Sequence, residues 1–470
     1  MTKVNIVWFN HDQRVLDHEG ILSAQSLTLP VIGIYILDPT WLHDKPFGIP
    51  KMSGHRRQFL TDSLTDLKRN LSQFNIPLYV FIDDVENVFT RLKQSFSIDL
   101  VYTMHEVGQE KLDRVHQINA AHADIPIQFY EGKTMIHPRD LPMDLTQLPD
   151  VFTVFRKAIE QAKVKPRLVL GSPKVQTVEF VDFKDDFHRL MESFEYNPQT
   201  LLKGGETEGL ARLEHYFFET KKLQFYKLTR NQMYRLDDSS KLSPYLALGN
   251  LSPRYVYAQI KQFEVMISDN ISTYWLYFEL LWRDYFQFSH MKYGNRLFHS
   301  GGLFKKPIYT VVNHTWIEQW KNGETGYPLV DANMIELKTT GWMSNRGRQN
   351  VASFFTKYIQ QDWRIGAMWF ESLLIDYDPA SNYGNWLYQA GLGVDPRSNR
   401  VFDVIWQGEK YDPTTIYLRK WLPQFKKVPK MYRYQPMAMS IEEQNACDFV
   451  LGKDYPRPIV PNPIKHKNLK

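Results

Sequence analysis

Four clusters in the second half of the chain carry residue types that do chemistry. Ser239-Ser-Lys-Leu-Ser-Pro-Tyr-Leu-Ala-Leu-Gly249 sets hydroxyls ahead of a Leu-Ser-Pro helix start. Free N–H groups and the positive dipole end of such a helix suit a phosphate, although an ordinary N-cap uses the same residues. In Ser272–His290, Glu279, Trp282, Arg283 and Phe286 fall at i, i+3, i+4 and i+7 and share one helix face. Read for structure, Glu279 and Arg283 form an ion pair four residues apart. Read for function, they belong to a pocket wall presenting a carboxylate and an indole. Gly341-Trp-Met-Ser-Asn-Arg-Gly-Arg348 supplies two guanidiniums, and Ile375-Asp-Tyr-Asp-Pro-Ala-Ser-Asn-Tyr-Gly-Asn-Trp386 supplies two carboxylates and two amides. An Arg–Asp pair backed by amides suits a polar heterocycle, and equally a buried salt bridge between two helices.

The elements that must position these clusters fall into two halves. Residues 1–130 alternate β-like runs with helical patterns, the runs being Val4–Phe9, Val31–Leu37, Leu78–Ile82, Leu100–Thr103 and Ile127–Tyr130. Each is short and apolar on both faces, as strands of a covered parallel sheet are. Phe59, Leu60, Leu64, Leu67, Leu71 and Phe74 recur at helical spacing. The βαβαβ rhythm predicts an α/β domain with a doubly wound parallel sheet. The turn after the first strand, Asn10-His-Asp-Gln-Arg14, lacks Gly-x-Gly-x-x-Gly, so no conventional dinucleotide cradle is expected. Residues 131–205 loosen around Pro138, Pro142, Pro149, Pro166 and Pro173 and read as an inter-domain connection with one helix near Val151–Lys163. Residues 206–425 read as a large all-α domain. Residues 426–470 read as a basic, proline-rich tail, extended and mobile from Tyr455 onward.

Composition narrows the class. A length of 470 residues predicts two or three folding units. Hydrophobic residues at 43% and charged residues at 23% are ordinary for a soluble chain. No run reaches the ~18 apolar residues of a membrane span, and Met1–Phe9 enters a strand without a leader pattern. One cysteine, Cys447, excludes an internal disulfide and a cysteine-based metal site. The chain reads as cytoplasmic, with no metal and with redox chemistry left to a bound cofactor. A net charge of 57 − 52 = +5 is compatible with a polyanion without demanding one. The 12 Trp, 26 Tyr and 29 Phe are first explained by a large aromatic core.

Taken together and in order, Lys241–Gly249, Glu279-Leu-Leu-Trp-Arg-Asp-Tyr285, Trp342-Met-Ser-Asn-Arg346 and Asp376–Trp386 resemble the photolyase/cryptochrome flavoproteins. The resemblance runs from residue 4 to about 425. Asp150-Val-Phe-Thr153, Ser272-Thr-Tyr-Trp275, Lys292–Phe298 and Gln349-Asn-Val-Ala-Ser353 resemble the cryptochrome DASH branch.

The resemblance implies FAD in the helical domain. Ser239, Ser240, Lys241, Leu242 and Ser243 would seat its phosphates, with Tyr226 a further contact. Arg348 would pair with Asp376 against the ring system, Asp378 would bond the ring edge, and Asn382 would face N5. Glu279, Arg283 and Asn345 would complete the wall. A neutral amide tolerates an anionic reduced flavin that a carboxylate would repel. The implied reaction is light-driven electron transfer to a cyclobutane pyrimidine dimer flipped out of the strand. Glu279, Trp282, Asn345, Gln349 and Tyr388 match positions lining the lesion pocket. Gln349 and Tyr388 match the DASH pattern, which implies a preference for single-stranded DNA. Asn345 and Gln349 stand where 6-4 photolyases carry a His pair, which argues against that activity. Trp386, Trp363 and Trp320 match an electron-hopping series in the order proximal, middle and distal.

By the same resemblance the N-terminal domain is an antenna domain, with 5,10-methenyltetrahydrofolate as an option. The usual folate-binding Asn-Glu pair is replaced by Gly108-Gln109, and Glu131 is a candidate contact. Arg346, Lys292, Arg397, Arg400 and the segment Lys420–Lys427 are candidates for DNA phosphates. A monomer is expected. The rival reading is a blue-light photoreceptor signalling through flavin photoreduction and protein partners. A flavoenzyme working in the dark leaves the tryptophan series unexplained.

Overall fold

The computed structural model describes residues 1–178, 183–306, 312–395 and 400–464. Five parallel strands, β1 (Thr2–Phe9), β2 (Val31–Leu37), β3 (Leu78–Ile82), β4 (Phe96–Met104) and β5 (Ile127–Tyr130), lie in the order β3-β2-β1-β4-β5. The strand order reverses beside β1, the mark of a doubly wound sheet. Ile6 of β1 sits between Ile32 of β2 and Val101 of β4, all fully buried, which is why the strands read as continuous apolar runs. Helix Gly54–Ser72 covers one face through Leu60, Leu64, Leu67 and Leu71. From Glu206 onward the described residues contain helices and no named strand, built around one large apolar core.

The connection wraps rather than links. Asp284, fully buried on helix Ile271–Tyr293, accepts the N–H groups of Met135 and Ile136 at 2.9 and 2.8 Å. Helix Phe152–Gln161 then packs on the same long helix. The chain returns to the sheet, where Asp185 and Asp186 accept the N–H groups of Val80 and Ile82 at 3.1 and 3.2 Å. Edge strand β3 is thereby closed to pairing with another chain.

The two halves meet at the turn after β1. Arg14, 2% exposed, donates to the Gly249 carbonyl at 3.0 Å, and Arg254 pairs with buried Asp17 at 2.9 Å. Gly249 has φ +72°, and a Cβ there would stand 2.0 Å from the His11 carbonyl. The glycine ending the Lys241–Gly249 segment therefore serves the domain seam.

The mobile tail expected from Tyr455 onward is corrected for residues 455–460, and residues 465–470 of it lie outside the described residues. Tyr455 is 2% exposed and its hydroxyl donates to Asp331, which also accepts from Thr325 and Gly326. Ile459 N–H bonds Thr325 O at 3.0 Å, and Tyr327 Oη donates to Val460 O at 2.9 Å. Proline-rich composition signalled extended backbone, but a buried tyrosine and two anchoring bonds hold it down through residue 460. Among the described residues no helix is long and apolar enough to cross a membrane.

Candidate flavin and nucleic-acid site

Helices Asn345–Ser353, Trp363–Leu373 and Pro379–Ala390 enclose a recess lined by Asn345, Arg348, Gln349, Phe370, Asn382 and Trp386. Asp376, 8% exposed, accepts from Arg348 Nη2 at 2.8 Å and from Ser243 Oγ at 2.7 Å. Ser243 thus ties two of the sequence clusters together. Asp378 caps the Pro379–Ala390 helix by accepting Ser381 N–H at 2.8 Å. Gln287 Nε2 donates to both oxygens of Asp378, and Lys133 Nζ lies 3.4 Å away. Burial alone would raise the Asp378 carboxyl, but Lys133, Arg283 and the Ser381 N–H outweigh it and hold the group ionised. Asn382 donates to Ala367 O at 3.0 Å, anchoring a neutral amide in the wall.

The Ser239–Ser243 loop is shaped by Arg212, which donates to the carbonyls of Ser240 and Ser239 at 2.9 and 3.2 Å. Lys241, at φ +57°, turns its Nζ to Ser239 Oγ at 3.0 Å and over the Trp342 ring at 3.9 Å. Burial pushes this ammonium down to about 8, so an added anion would be stabilised there. The helix that follows spans only Ser243–Ala247, so Lys241 and the hydroxyls, more than a long dipole, make the seat. Leu242 and Tyr226 are buried, at 2% and 8% exposure.

Asp376 Oδ1, Gln349 Oε1 and Trp386 Nε1 border this recess, buried and without a protein partner among the described residues. Buried polar atoms are ordinarily satisfied, and a ring system with donors and acceptors along its edge satisfies such a set. The residues present fit a flavin.

One face of helix Ile271–Tyr293 departs from the spacing argument. Glu279 does not pair with Arg283. Arg230 donates to Glu279, whereas Arg283 donates to the carbonyls of Lys133 and Leu246, pinning the connection to the core. Burial pushes the Glu279 carboxyl up and Arg230 pulls it partly back. Trp282 stacks on Phe152 with centroids 3.7 Å apart and planes 15° from parallel, so one indole face is covered. Asn345 is exposed at its helix start, and Gln349 and Tyr388 are half-buried.

With that geometry in hand, residues 275–469 match the FAD binding domain of DNA photolyase, and residues 5–173 match DNA photolyase. The cryptochrome DASH of Synechocystis sp. is 43% identical over 97% of this chain and 94% of its own length. The solved Synechocystis cryptochrome superposes with a TM-score of 0.92 at 42% identity, covering 98% of this chain and 97% of the other. A bacterial class III photolyase from Agrobacterium tumefaciens gives 0.86 at 27% identity, covering 98% and 95%. The chain belongs to the photolyase/cryptochrome family. Its relatives at this identity are cryptochromes DASH, and its helical half is an FAD-binding domain.

Within this photolyase/cryptochrome fold the tryptophan order needs correcting. Trp386, Trp363 and Trp320 are 2%, 2% and 0% exposed. Trp320 meets Trp386 edge to face at 6.2 Å, so it is neither at the surface nor distal. Trp363 instead meets Tyr383 at 6.0 Å and donates to Ser300 O at 2.9 Å. Flanking residues matched the expected series, but flanking residues carry no information on depth.

The cations divide as well. Lys292 bonds the Leu148 carbonyl at 2.7 Å and pairs with Asp150 at 3.1 Å, which makes it a clamp on the connection and corrects its expected phosphate role. Arg346 is half-buried and donates to Asn231 at 3.2 Å. Arg400 is exposed, and Arg397 lies outside the described residues.

Between the two domains lies a cavity of about 750 Å³, lined among others by His11, Trp41, Glu106, Gln109, Lys111 and Tyr383. Glu106 accepts from His11 Nδ1 at 2.7 Å and from Lys133 at 3.3 Å. His11 and Lys133 outweigh the burial of Glu106 and hold its carboxyl well below the usual range. Glu131 instead pairs with half-exposed His105 at 3.2 Å. Arg230, Phe152, Gln287 and Lys133 were missed by sequence reasoning. Phe152 had a signal in Asp150–Thr153 and Gln287 in Ser272–His290.

Proposed function

We propose that this chain repairs cyclobutane pyrimidine dimers in light, preferentially in single-stranded DNA. The observation carrying the reading is Asn382: a neutral amide held by Ala367 beside Trp386, in a recess with unsatisfied polar atoms. Such a wall accommodates an anionic reduced ring that a carboxylate would repel. Bound and reduced, FAD supplies a light-excitable one-electron donor. Arg348 and Asp376 would hold its ring system, Asp378 would take its edge, and Lys241 with Ser239, Ser240 and Ser243 would seat its phosphates. Burial raises the Glu279 carboxyl while Arg230 holds it in place, and this group would hydrogen-bond the pyrimidine edge. Half-buried Trp282 would offer its indole to the extruded dimer. Asn345, Gln349 and Tyr388 give that pocket polar edges, which offset less of the unpairing cost in duplex than in a single strand. The interdomain cavity is of ordinary ligand size and is where a methenyltetrahydrofolate antenna would sit.

The test is blue-light repair of a dimer-bearing single strand by the FAD-loaded protein, with Glu279→Gln beside it. Repair, slowed in the variant, supports the reading. Photoreduction of flavin with no repair overturns it and favours a photoreceptor.

A further inference from the structure

Eleven of the twelve tryptophans are buried or half-buried, and Trp406 alone is exposed, at 47%. It stands on helix Val404–Tyr411, whose N-cap Asp403 accepts the Trp406 N–H at 3.2 Å. Lys410 Nζ lies 4.4 Å over the Trp406 ring and 5.6 Å over Tyr411. Arg346 lies 4.6 Å over that same Tyr411 ring and 6.0 Å over Phe402, and Arg400 lies 4.6 Å over Phe402. Phe402 is fixed from behind, its N–H donating to Ser353 Oγ at 3.1 Å and its carbonyl accepting from Tyr358 at 3.0 Å. Arg346 directly follows Asn345, which lines the recess. The result is a continuous strip of alternating rings and cations leading from the recess to an exposed indole. Arg400 and Lys410 are exposed, and half-buried Arg346 donates to the neutral Asn231.

We propose that Trp406, with Lys410, Tyr411, Arg346 and Arg400, is a stacking platform for the unpaired bases flanking the recess. This rests on the single-strand reading above and extends it to undamaged nucleotides outside the lesion pocket. An exposed indole among cations suits a polyanion that carries planar apolar rings, and single-stranded nucleic acid is that polymer. A duplex keeps its bases stacked inside and offers Trp406 nothing but backbone. The platform therefore adds affinity for single strands selectively.

The test uses the FAD-loaded protein and two probes of equal length, an oligothymidylate and a base-free deoxyribose-phosphate strand. Trp406→Ala should weaken the oligothymidylate roughly tenfold, the usual worth of one stacked base. It should leave the base-free strand unchanged, and Trp406→Phe should restore most of the loss. Lys410→Ala should weaken both probes and lower the salt slope by about one. An unchanged flavin spectrum reports that each variant is folded. Equal weakening of both probes by Trp406→Ala, or no weakening of either, overturns the platform, as does a wild-type protein that ignores the oligothymidylate. Dimer repair is scored separately on the same proteins. Binding without repair sinks only the repair reading, and repair with an indifferent Trp406→Ala sinks only the platform.

Discussion

Trp320 and Trp386 meet edge to face with their ring centroids 6.2 Å apart, and both rings are buried. Trp386 also lines the recess, and Gly366 packs against it, where a Cβ would stand 2.3 Å from the indole. A single ring therefore joins the recess to two other tryptophans' surroundings, with Trp320 on one side and the Trp363 helix on the other.

Trp386 should be the obligatory electron donor in photoreduction. Trp386→Phe is expected to stop blue-light bleaching of bound oxidised flavin with an external reductant present, with flavin content unchanged. Trp320→Phe should slow it while leaving a measurable rate, because it removes one ring neighbour of Trp386, and Trp363→Phe should slow it less, because its ring packs on Tyr383. Full activity of Trp386→Phe would contradict this placement.

Arg348→Ala leaves Asp376 buried with Ser243 as its remaining hydrogen-bond partner. Removing one partner of a buried pair costs about 3 kcal/mol or more, and the exposed edge of Arg348 argues for the lower end. Urea unfolding should show that loss together with reduced flavin content. Adding Asp376→Asn should recover part of the stability, since the uncompensated charge goes. A double variant less stable than Arg348→Ala would count against the ion-pair account.

Asp284 carries a pH signature. Burial pushes its carboxyl up to about 7, against the pull of the Met135 and Ile136 N–H groups. Its native pKa lies above its unfolded value, so the native state binds more protons and stability falls as pH rises from about 4 through 7. This one group should contribute on the order of 4 kcal/mol across that window. Asp284→Asn removes the contribution. The stability advantage of wild type over the variant should therefore shrink as pH rises; a pH-independent difference would refute it.

The sheet was legible because its signal is local. Val31–Leu37 and Leu78–Ile82 are apolar runs bounded by turns, and the strands end where the runs end. The site was legible in part for the same reason: Asp376, Asp378 and Asn382 share one short segment. What escaped was non-local. The partner of Glu279 is Arg230, 49 residues away, and spacing on one helix pointed instead to Arg283. Lys133 reaches Asp378 and Glu106 from the connection, where no pattern marks it. Residues Arg457 to Val460 read as tail because proline composition reports backbone shape and says nothing of the Tyr455–Asp331 anchor.

The decisive measurement offers one oligonucleotide carrying a single thymine dimer to the reduced, FAD-loaded protein, single-stranded and annealed, in blue light. The account predicts restoration of thymines in the single strand and little in the duplex. Equal repair of both would contradict the single-strand preference, and repair of neither would contradict the enzyme.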